Sequence, residues 1–167
     1  EYSALIASGA LTFEEGVALV RKRGKFMQEA VPEGRGSMVA VIGLSKEKLQ
    51  EACKYGSDFG VVEIANYNTK EQMVIGGEVE AVTKAAEKAK ELGAKRAIPL
   101  TVSGPFHTSL LKPAAEKLRK ELENVNFYET KIPLLTNVTG NYVKCIGEVK
   151  DLLEAQVMSS VKWVDII

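Results

Sequence analysis

The chain has 167 residues, of which 46% are hydrophobic and 26% are charged, the ordinary composition of a globular protein. Its 22 basic residues balance 22 acidic ones, so no net charge attracts nucleic acid or an anionic membrane surface. No run approaches the roughly 20 apolar residues of a membrane helix. One histidine and two separated cysteines, Cys53 and Cys145, cannot form a tetrahedral zinc site, and unpaired cysteines suit a reducing compartment. We therefore expect a cytoplasmic protein that holds no metal.

Residues 1–33 predict two helices. The first, YSALIASGAL, ends near Gly9. The second begins at a capping box, in which Thr12 is followed three residues later by Glu15, and runs to about Ala30. We expect one buried side on this second helix, carrying Val17, Val20, Phe26 and Met27. The segment PEGRG then interrupts the helical pattern.

Between Ser37 and Val102, short apolar runs alternate with amphipathic helices. Four runs predict strands: SMVAVIGL, VVEIANYN, QMVIGG and AKRAIPLTV. Two segments predict helices: SKEKLQEACKYG, with Ser45 as its N-cap, and EVEAVTKAAEKAKELG, which ends at Gly93. The buried stripe of the second of these helices is expected to carry Val79, Val82, Ala86, Ala89 and Leu92. The order βαββαβ is that of a ferredoxin-like domain.

Beyond Ser103 the pattern becomes helical again. The sequence predicts a helix over SGPFHTSLLKPAAEKLRKELENV, a short strand over IPLLTNVTG and a last helix over EVKDLLEAQVMSSVKW. Residues 1–33 and 103–167 are therefore predicted to be two parts of one helix-rich layer, interrupted by the ferredoxin-like unit at 34–102. Helices without a sheet would leave an apolar face uncovered, so we expect a sheet to precede Glu1.

His107 is the histidine that could act as a base. The predicted helix opens at Gly104 and Pro105, which puts His107 in its first turn, where the helix dipole disfavours a positive imidazolium. A histidine kept neutral near pH 7 is what a general base requires. Position alone favours a partly buried histidine with a purely structural role.

Three other polar residues have both a functional and a structural interpretation. Arg23 lies in VRKRGKF on the side of Val20 and Met27; it could hold a carboxylate, or it could be a surface residue. Gln156 lies at helical spacing from Leu152, where it could simply bond a neighbouring helix. Asparagines 66 and 68 end a strand beside a turn, and their pattern favours local backbone hydrogen bonds. The 167 residues contain no G-x-S-x-G elbow, so a nucleophile is not evident.

Five segments, taken in order, resemble the malonyl-CoA:acyl-carrier-protein transacylases of type II fatty acid synthesis: EYSALIASGAL, VRKRGKFMQEAVPEGRGSMVAVIGL, NYNTKEQMVIGG, AKRAIPLTVSGPFHTSLLKPA and the closing VKW. The resemblance covers Glu1 to Ile167. It implies an α/β fold, in which part of an α/β-hydrolase-like acyltransferase subdomain (1–33 and 103–167) carries a ferredoxin-like insert (34–102). It also implies a nucleophilic serine three positions before Glu1, in the motif G-H-S-x-G-E.

The same resemblance implies a role for each candidate residue. His107 matches the catalytic base, and Gln156 matches the residue whose backbone carbonyl orients that histidine in place of a triad acid. Arg23 matches the arginine that binds the malonyl carboxylate through two parallel hydrogen bonds. Met27, Asn68 and Phe106 match residues that line the substrate pocket. The implied partners are malonyl-CoA and acyl carrier protein, with no further cofactor, and the implied state is a monomer.

Two alternatives remain open from the sequence. The chain could belong to an acyltransferase domain of a polyketide synthase that uses a different extender unit. It could instead be a non-catalytic ferredoxin-like binding module, which would account for residues 36–102 but leave the helices carrying Arg23 and following His107 without a function.

Overall fold

Six helices and one four-stranded sheet form the described part of the chain, residues 1–102, 104–130 and 132–167 of a computed structural model. The elements in chain order are α1 (Tyr2–Ala7), α2 (Phe13–Ala30), β1 (Gly36–Ile42), α3 (Lys46–Gly56), β2 (Val62–Tyr67), β3 (Gln72–Glu78), α4 (Val79–Glu91), β4 (Arg96–Pro99), α5 (Lys112–Glu123) and α6 (Val149–Met158). None of the helices in these ranges is long and apolar enough to cross a bilayer.

The sheet confirms the predicted ferredoxin-like arrangement. Its strand order is β2-β3-β1-β4, and every neighbouring pair is antiparallel. Strands β1 and β3 pair along their whole length, from Gly36 opposite Glu78 to Ile42 opposite Gln72. Since β1 and β2 run parallel with β3 between them, α3 forms the crossover of a split βαβ unit.

The two faces of the sheet have different environments because successive side chains point to opposite faces. One face packs under α3 and α4, with Val41, Ile75, Leu49 and Val82 among its buried residues. The other face carries only a small apolar cluster, to which Phe106 adds its ring; the cluster consists of Met38, Ala40, Ala65 and Val74. This second face is the floor of the cleft described below.

A separate core joins α1, α2, α5 and α6. Leu118 and Leu122 of α5 are fully buried there, against Leu153 and Val157 of α6. Burying one such side chain contributes about 1.5–3 kcal/mol. The two separate cores agree with the two-subdomain fold. The boundaries at 33/34 and 102/103 stay predictions.

Helix α2 confirms the predicted start but corrects the predicted buried side. The Thr12 hydroxyl accepts a hydrogen bond from the Glu15 N–H at 3.3 Å, as an N-cap does. Val17 and Val20, however, are 51% and 47% exposed. Met27 is buried as predicted, and Gly16 and Leu19 complete the buried face in place of the two valines. The cause is at Gly16, where a methyl group would collide with the Ile6 side chain, so α1 packs directly on this face.

The other helices depart from their predicted limits in smaller ways. Val79 in α4 is 43% exposed, and Ala81 and Ala85 are buried on the stripe instead. Residues 132–140 form no strand: within the described part, the segment makes a single antiparallel bridge, Leu135 with Tyr142. The last α-helix ends at Met158, before SSVKW.

The largest correction concerns the segment that carries His107. The predicted helix from Gly104 begins only at Lys112, after a short 3₁₀ turn at Ser109–Leu111. His107 has a φ of +60°, in the left-handed region, which a helix cannot accommodate. Pro113 then opens α5 with its fixed φ. The predicted residue Ser103 lies outside the described residues.

Candidate active site

A cleft of about 620 Å³ lies between α2 and the second face of the sheet. Five of the six site residues expected from the sequence line it: Arg23, Met27, Asn68, Phe106 and His107. The sixth, Gln156, is 94% buried behind them and contacts both Arg23 and His107, since only 6% of it is exposed. The remaining lining consists of Gly24, Gln28, Met38, Asn66, Val74 and Leu100. Residues more than 130 positions apart in the chain thus meet at one site.

His107 is held by the backbone of α6. Its Nδ1 lies 3.0 Å from the carbonyl oxygen of Gln156. Because a carbonyl can only accept, Nδ1 carries the proton in this tautomer, and Nε2 is left with its lone pair. Burial is the largest influence and lowers the pKa of His107 below its ordinary value. The charge of Arg23 lowers this pKa further, whereas backbone hydrogen bonds with Gln156 and Ser159 act to raise it.

That cause differs from the one expected. The sequence predicted a neutral His107 because of a helix dipole, yet α5 begins five residues later, at Lys112. Desolvation, which disfavours the charged imidazolium, is the physical reason instead. The direction of the pKa shift agrees with the prediction, while its mechanism is corrected.

Three strands of the sheet hold the turn that carries His107. From β1, Gly36 leaves room for Pro105: an added methyl group would come within 2.7 Å of the proline Cγ. From β3, Gly76 lies against the fully buried Thr108, whose hydroxyl donates to the Pro105 carbonyl at 2.6 Å. From β2, a Glu63 carboxylate oxygen accepts from the Ser109 N–H at 2.7 Å. A non-glycine residue at positive φ is strained, and such contacts maintain it.

Arg23 enters the cleft from α2 with part of its guanidinium group uncommitted. Its Nη2 donates to the side-chain oxygen of Gln156 at 2.8 Å. Its Nε is buried and has no hydrogen-bond partner among the described residues. A buried donor without a partner is costly, and the Nη donors that Gln156 does not use remain for a ligand in the cleft. A carboxylate matches the planar fork of donors on an arginine.

The sequence predicted five of the eleven residues that line the cleft. Asn66 was expected only to form local backbone hydrogen bonds, but it lines the cleft beside an irregularity in the β2–β3 register. The available signal was the spacing of two: Asn66 in β2 and Asn68 just after its end share a face wherever the extended backbone continues. Gln28 and Leu100 had no comparable signal.

A second cleft, of about 570 Å³, also reaches His107. Its lining includes Glu63, Tyr67, Ser159, Ser160 and Lys162. His107 therefore lies in the wall between two openings. Among the described residues, no group of three His, Cys, Asp or Glu side chains could hold a metal ion.

His107, bonded to a backbone carbonyl, and Arg23 therefore line the same cleft. The family model described as "Acyl transferase domain" matches residues 1–166. The chain therefore belongs to the acyl transferase domain family.

Similar proteins within this family have a more specific name. The malonyl CoA-acyl carrier protein transacylase of Bacillus subtilis is 46% identical over 164 residues, which are 98% of this chain and 52% of that protein. The crystal structure of the Clostridium perfringens transacylase has a TM-score of 0.95 at 49% identity and covers 99% of this chain and 52% of its own. A malonyl-transacylase solved with a type II polyketide acyl-carrier protein has a TM-score of 0.94 at 42% identity, over 97% of this chain and 52% of that one. The chain spans about half the length of these proteins.

Proposed function

We propose that this chain forms the base and the carboxylate-binding part of a malonyl-CoA:acyl-carrier-protein transacylase. The main support is that His107 and Arg23 line the same cleft and that Gln156 forms a hydrogen bond with each of them. The reaction would move a malonyl group from coenzyme A to the phosphopantetheine thiol of an acyl carrier protein, as the names of the similar proteins suggest.

Arg23 would select malonyl over acetyl groups. A malonyl thioester ends in a carboxylate, and the Nη donors of Arg23 that Gln156 leaves free can bind its two oxygens together. Acetyl groups have no such carboxylate. Met27 and Phe106 supply apolar walls beside this position, and Asn68 contributes a polar rim. Because Phe106 directly precedes His107, its ring would limit substituents on the malonyl α-carbon.

His107 would act as the general base in two successive steps. In the first, Nε2 takes the proton of a serine hydroxyl, the serine oxygen attacks the thioester carbonyl, and the C–S bond breaks as the coenzyme A thiolate recovers that proton. In the second, Nε2 takes the proton of the carrier-protein thiol, the sulfur attacks the acyl-serine carbonyl, and the ester C–O bond breaks as the serine oxygen recovers that proton from Nε2. The Gln156 carbonyl holds the imidazole in the required tautomer, the task that an aspartate performs in a Ser-His-Asp triad.

The rest of the proposal concerns partners and setting. The serine is expected in the G-H-S-x-G-E motif, outside the 167 residues. No cofactor beyond the two substrates enters the reaction. We further propose a monomer that works in the cytoplasm, where coenzyme A thioesters and carrier proteins meet.

Binding of malonate to the chain itself tests the carboxylate site. The single histidine gives one imidazole Cε1–H resonance in an NMR spectrum, which reports ligands in the cleft without ambiguity. Wild type should bind malonate more tightly than acetate. Arg23→Ala should reduce the affinity for malonate by about tenfold or more, which corresponds to the loss of a charged hydrogen bond. Arg21→Ala, an exposed arginine of the same helix, is the matched control and should leave both affinities unchanged. Equal losses for malonate and acetate would contradict the assignment.

A chimera tests the transfer reaction. The part of the Bacillus subtilis transacylase that this chain does not cover would be joined to the chain, and malonyl transfer from coenzyme A to acyl carrier protein would be measured. His107→Asn, which tolerates positive φ, should reduce the rate roughly 10²- to 10⁴-fold with little change in melting temperature. A less stable but fully active variant would mean that His107 is only structural.

A further inference from the structure

The side chain of Gln156 has a position that its backbone role does not require. It lies at the buried side of α6, with only 6% of the residue exposed. Its amide oxygen accepts from Arg23 Nη2 at 2.8 Å. The Glu1 carboxylate also lies in this region; burial raises its pKa, while the hydrogen bond from the Asn137 N–H and the charge of Arg23 act to lower it. Its Oε2 is buried and has no hydrogen-bond partner among the described residues.

The orientation of the amide follows from these neighbours. Arg23 can only donate, so the amide oxygen of Gln156 faces it. Within the described part, no salt bridge joins Arg23 to a carboxylate, and Glu1 Oε1 instead accepts from the Asn137 N–H at 2.6 Å. A neutral amide, separate from any carboxylate, thus holds the guanidinium group without neutralising it.

This separation matters because an arginine already paired with a buried carboxylate has few free donors and little net charge with which to bind a second carboxylate. A direct ion pair would occupy two donors and cancel the positive charge. The amide uses one donor and leaves the charge in place, and the Nε of Arg23 stays without a partner among the described residues.

We propose that the Gln156 side chain is a specificity-determining residue, which keeps Arg23 oriented and charged for the carboxylate of the acyl group. The inference rests on the proposed function and adds to the backbone role of Gln156. The two roles belong to different atoms of one residue: the carbonyl oxygen positions His107, and the side-chain amide positions Arg23. Substitution of the side chain therefore separates them.

Gln156→Glu gives the sharpest test, since it has nearly the same shape and places a carboxylate directly on Arg23. The dissociation constants of malonate and acetate are measured by NMR on the 167-residue chain, and their ratio is the readout, because a ratio does not depend on the fraction of folded protein. We expect Gln156→Glu to reduce the preference for malonate by about tenfold or more and Gln156→Ala to reduce it by about threefold or more. Gln72→Glu, outside both clefts, controls for the added charge.

The state of His107 distinguishes this role from general damage to the site. Both variants keep the backbone carbonyl, so the ¹⁵N shifts of the imidazole should still show the proton on Nδ1. A malonate preference that survives in Gln156→Glu would overturn the proposal, and so would a loss of the Nδ1–H tautomer in both variants. If wild type shows no preference for malonate, the proposed function fails instead, before any variant is compared.

Discussion

Gly36→Ala, a change in β1, should disturb the turn that carries His107, although Gly36 lies far from this turn in the sequence. Gly36 begins β1, and a methyl group there would lie 2.7 Å from Pro105 Cγ and 3.1 Å from Pro105 N. Carbon atoms at rest are about 3.5–4.0 Å apart, so Pro105 must move by roughly 1 Å. Pro105 is a ring with its backbone in the contact, and it cannot rotate away as a long side chain would.

The cost follows from overpacking a well-filled site, which destabilises a protein by about 1–3 kcal/mol. For a chain of this size, each kcal/mol lowers the melting temperature by about 2–4 °C, so a decrease on the order of 5 °C is expected. Because Pro105 precedes His107 by two residues, the displacement should also expose the imidazole. Its pKa should then rise toward the ordinary value, since burial is the main cause of its lowering.

Calorimetry and an NMR titration of the single histidine measure the two effects on one sample. Gly24→Ala is the matched control: Gly24 lies inside α2, and within the described residues nothing lies within 4 Å of the added methyl group. That change should stabilise the helix by about 0.5–1 kcal/mol. A Gly36→Ala protein with the melting temperature and the titration curve of wild type would refute the idea that β1 holds the turn.

Three further outcomes are expected. Leu118→Ala, in the fully buried centre of α5, should reduce the free energy of unfolding by about 2–5 kcal/mol; a loss below 1 kcal/mol in urea would mean that this core repacks freely. Thr12→Ala should cost about 1 kcal/mol as a lost N-cap, and a neutral result would argue against the cap. Below the ordinary histidine pKa of 6.5 the unfolded chain binds more protons than the folded one, so lowering the pH through this range should destabilise wild type more than His107→Asn; parallel curves would contradict the lowered pKa.

The sequence predicted best where the signal is local. Thr12 and Ser45 were expected as N-caps, and each accepts a hydrogen bond from the N–H three residues later. Both interactions depend on a few adjacent residues and little else. The βαββαβ order was equally readable, because a strand with one face on a helix layer repeats every two residues.

Predictions failed where contacts between residues far apart in the sequence determine the local structure. The exposure of Val17 and Val20 depends on where α1 crosses α2, and that crossing is set by Gly16. The left-handed turn at His107 is maintained by three strands that lie far away in the chain. The local sequence SGPFHTSLL, from which a helix was predicted, gives no indication of these contacts with the strands.

The candidate site depended on information of another kind. Arg23 and His107 are 84 positions apart, and no spacing rule predicts that they share a cleft; the resemblance to the transacylases supplied that expectation. The structure adds the Gln156 side chain as the link between them.

The chain segment after α6 changes how the sheet meets other molecules. Val161 pairs in parallel with Asn66, through hydrogen bonds from Tyr67 N–H to the Val161 carbonyl and from Val161 N–H to the Ala65 carbonyl, both at 2.8 Å. This covers residues 65–67 at the outer edge of β2 with backbone from the same chain, which hinders pairing with another strand there. The open edge is β4, where Ile98 is 42% exposed and only Arg96 and Pro99 discourage another strand. Aggregation of the folded protein through its sheet should therefore begin at β4, and a lysine at position 98 would be the change that suppresses it.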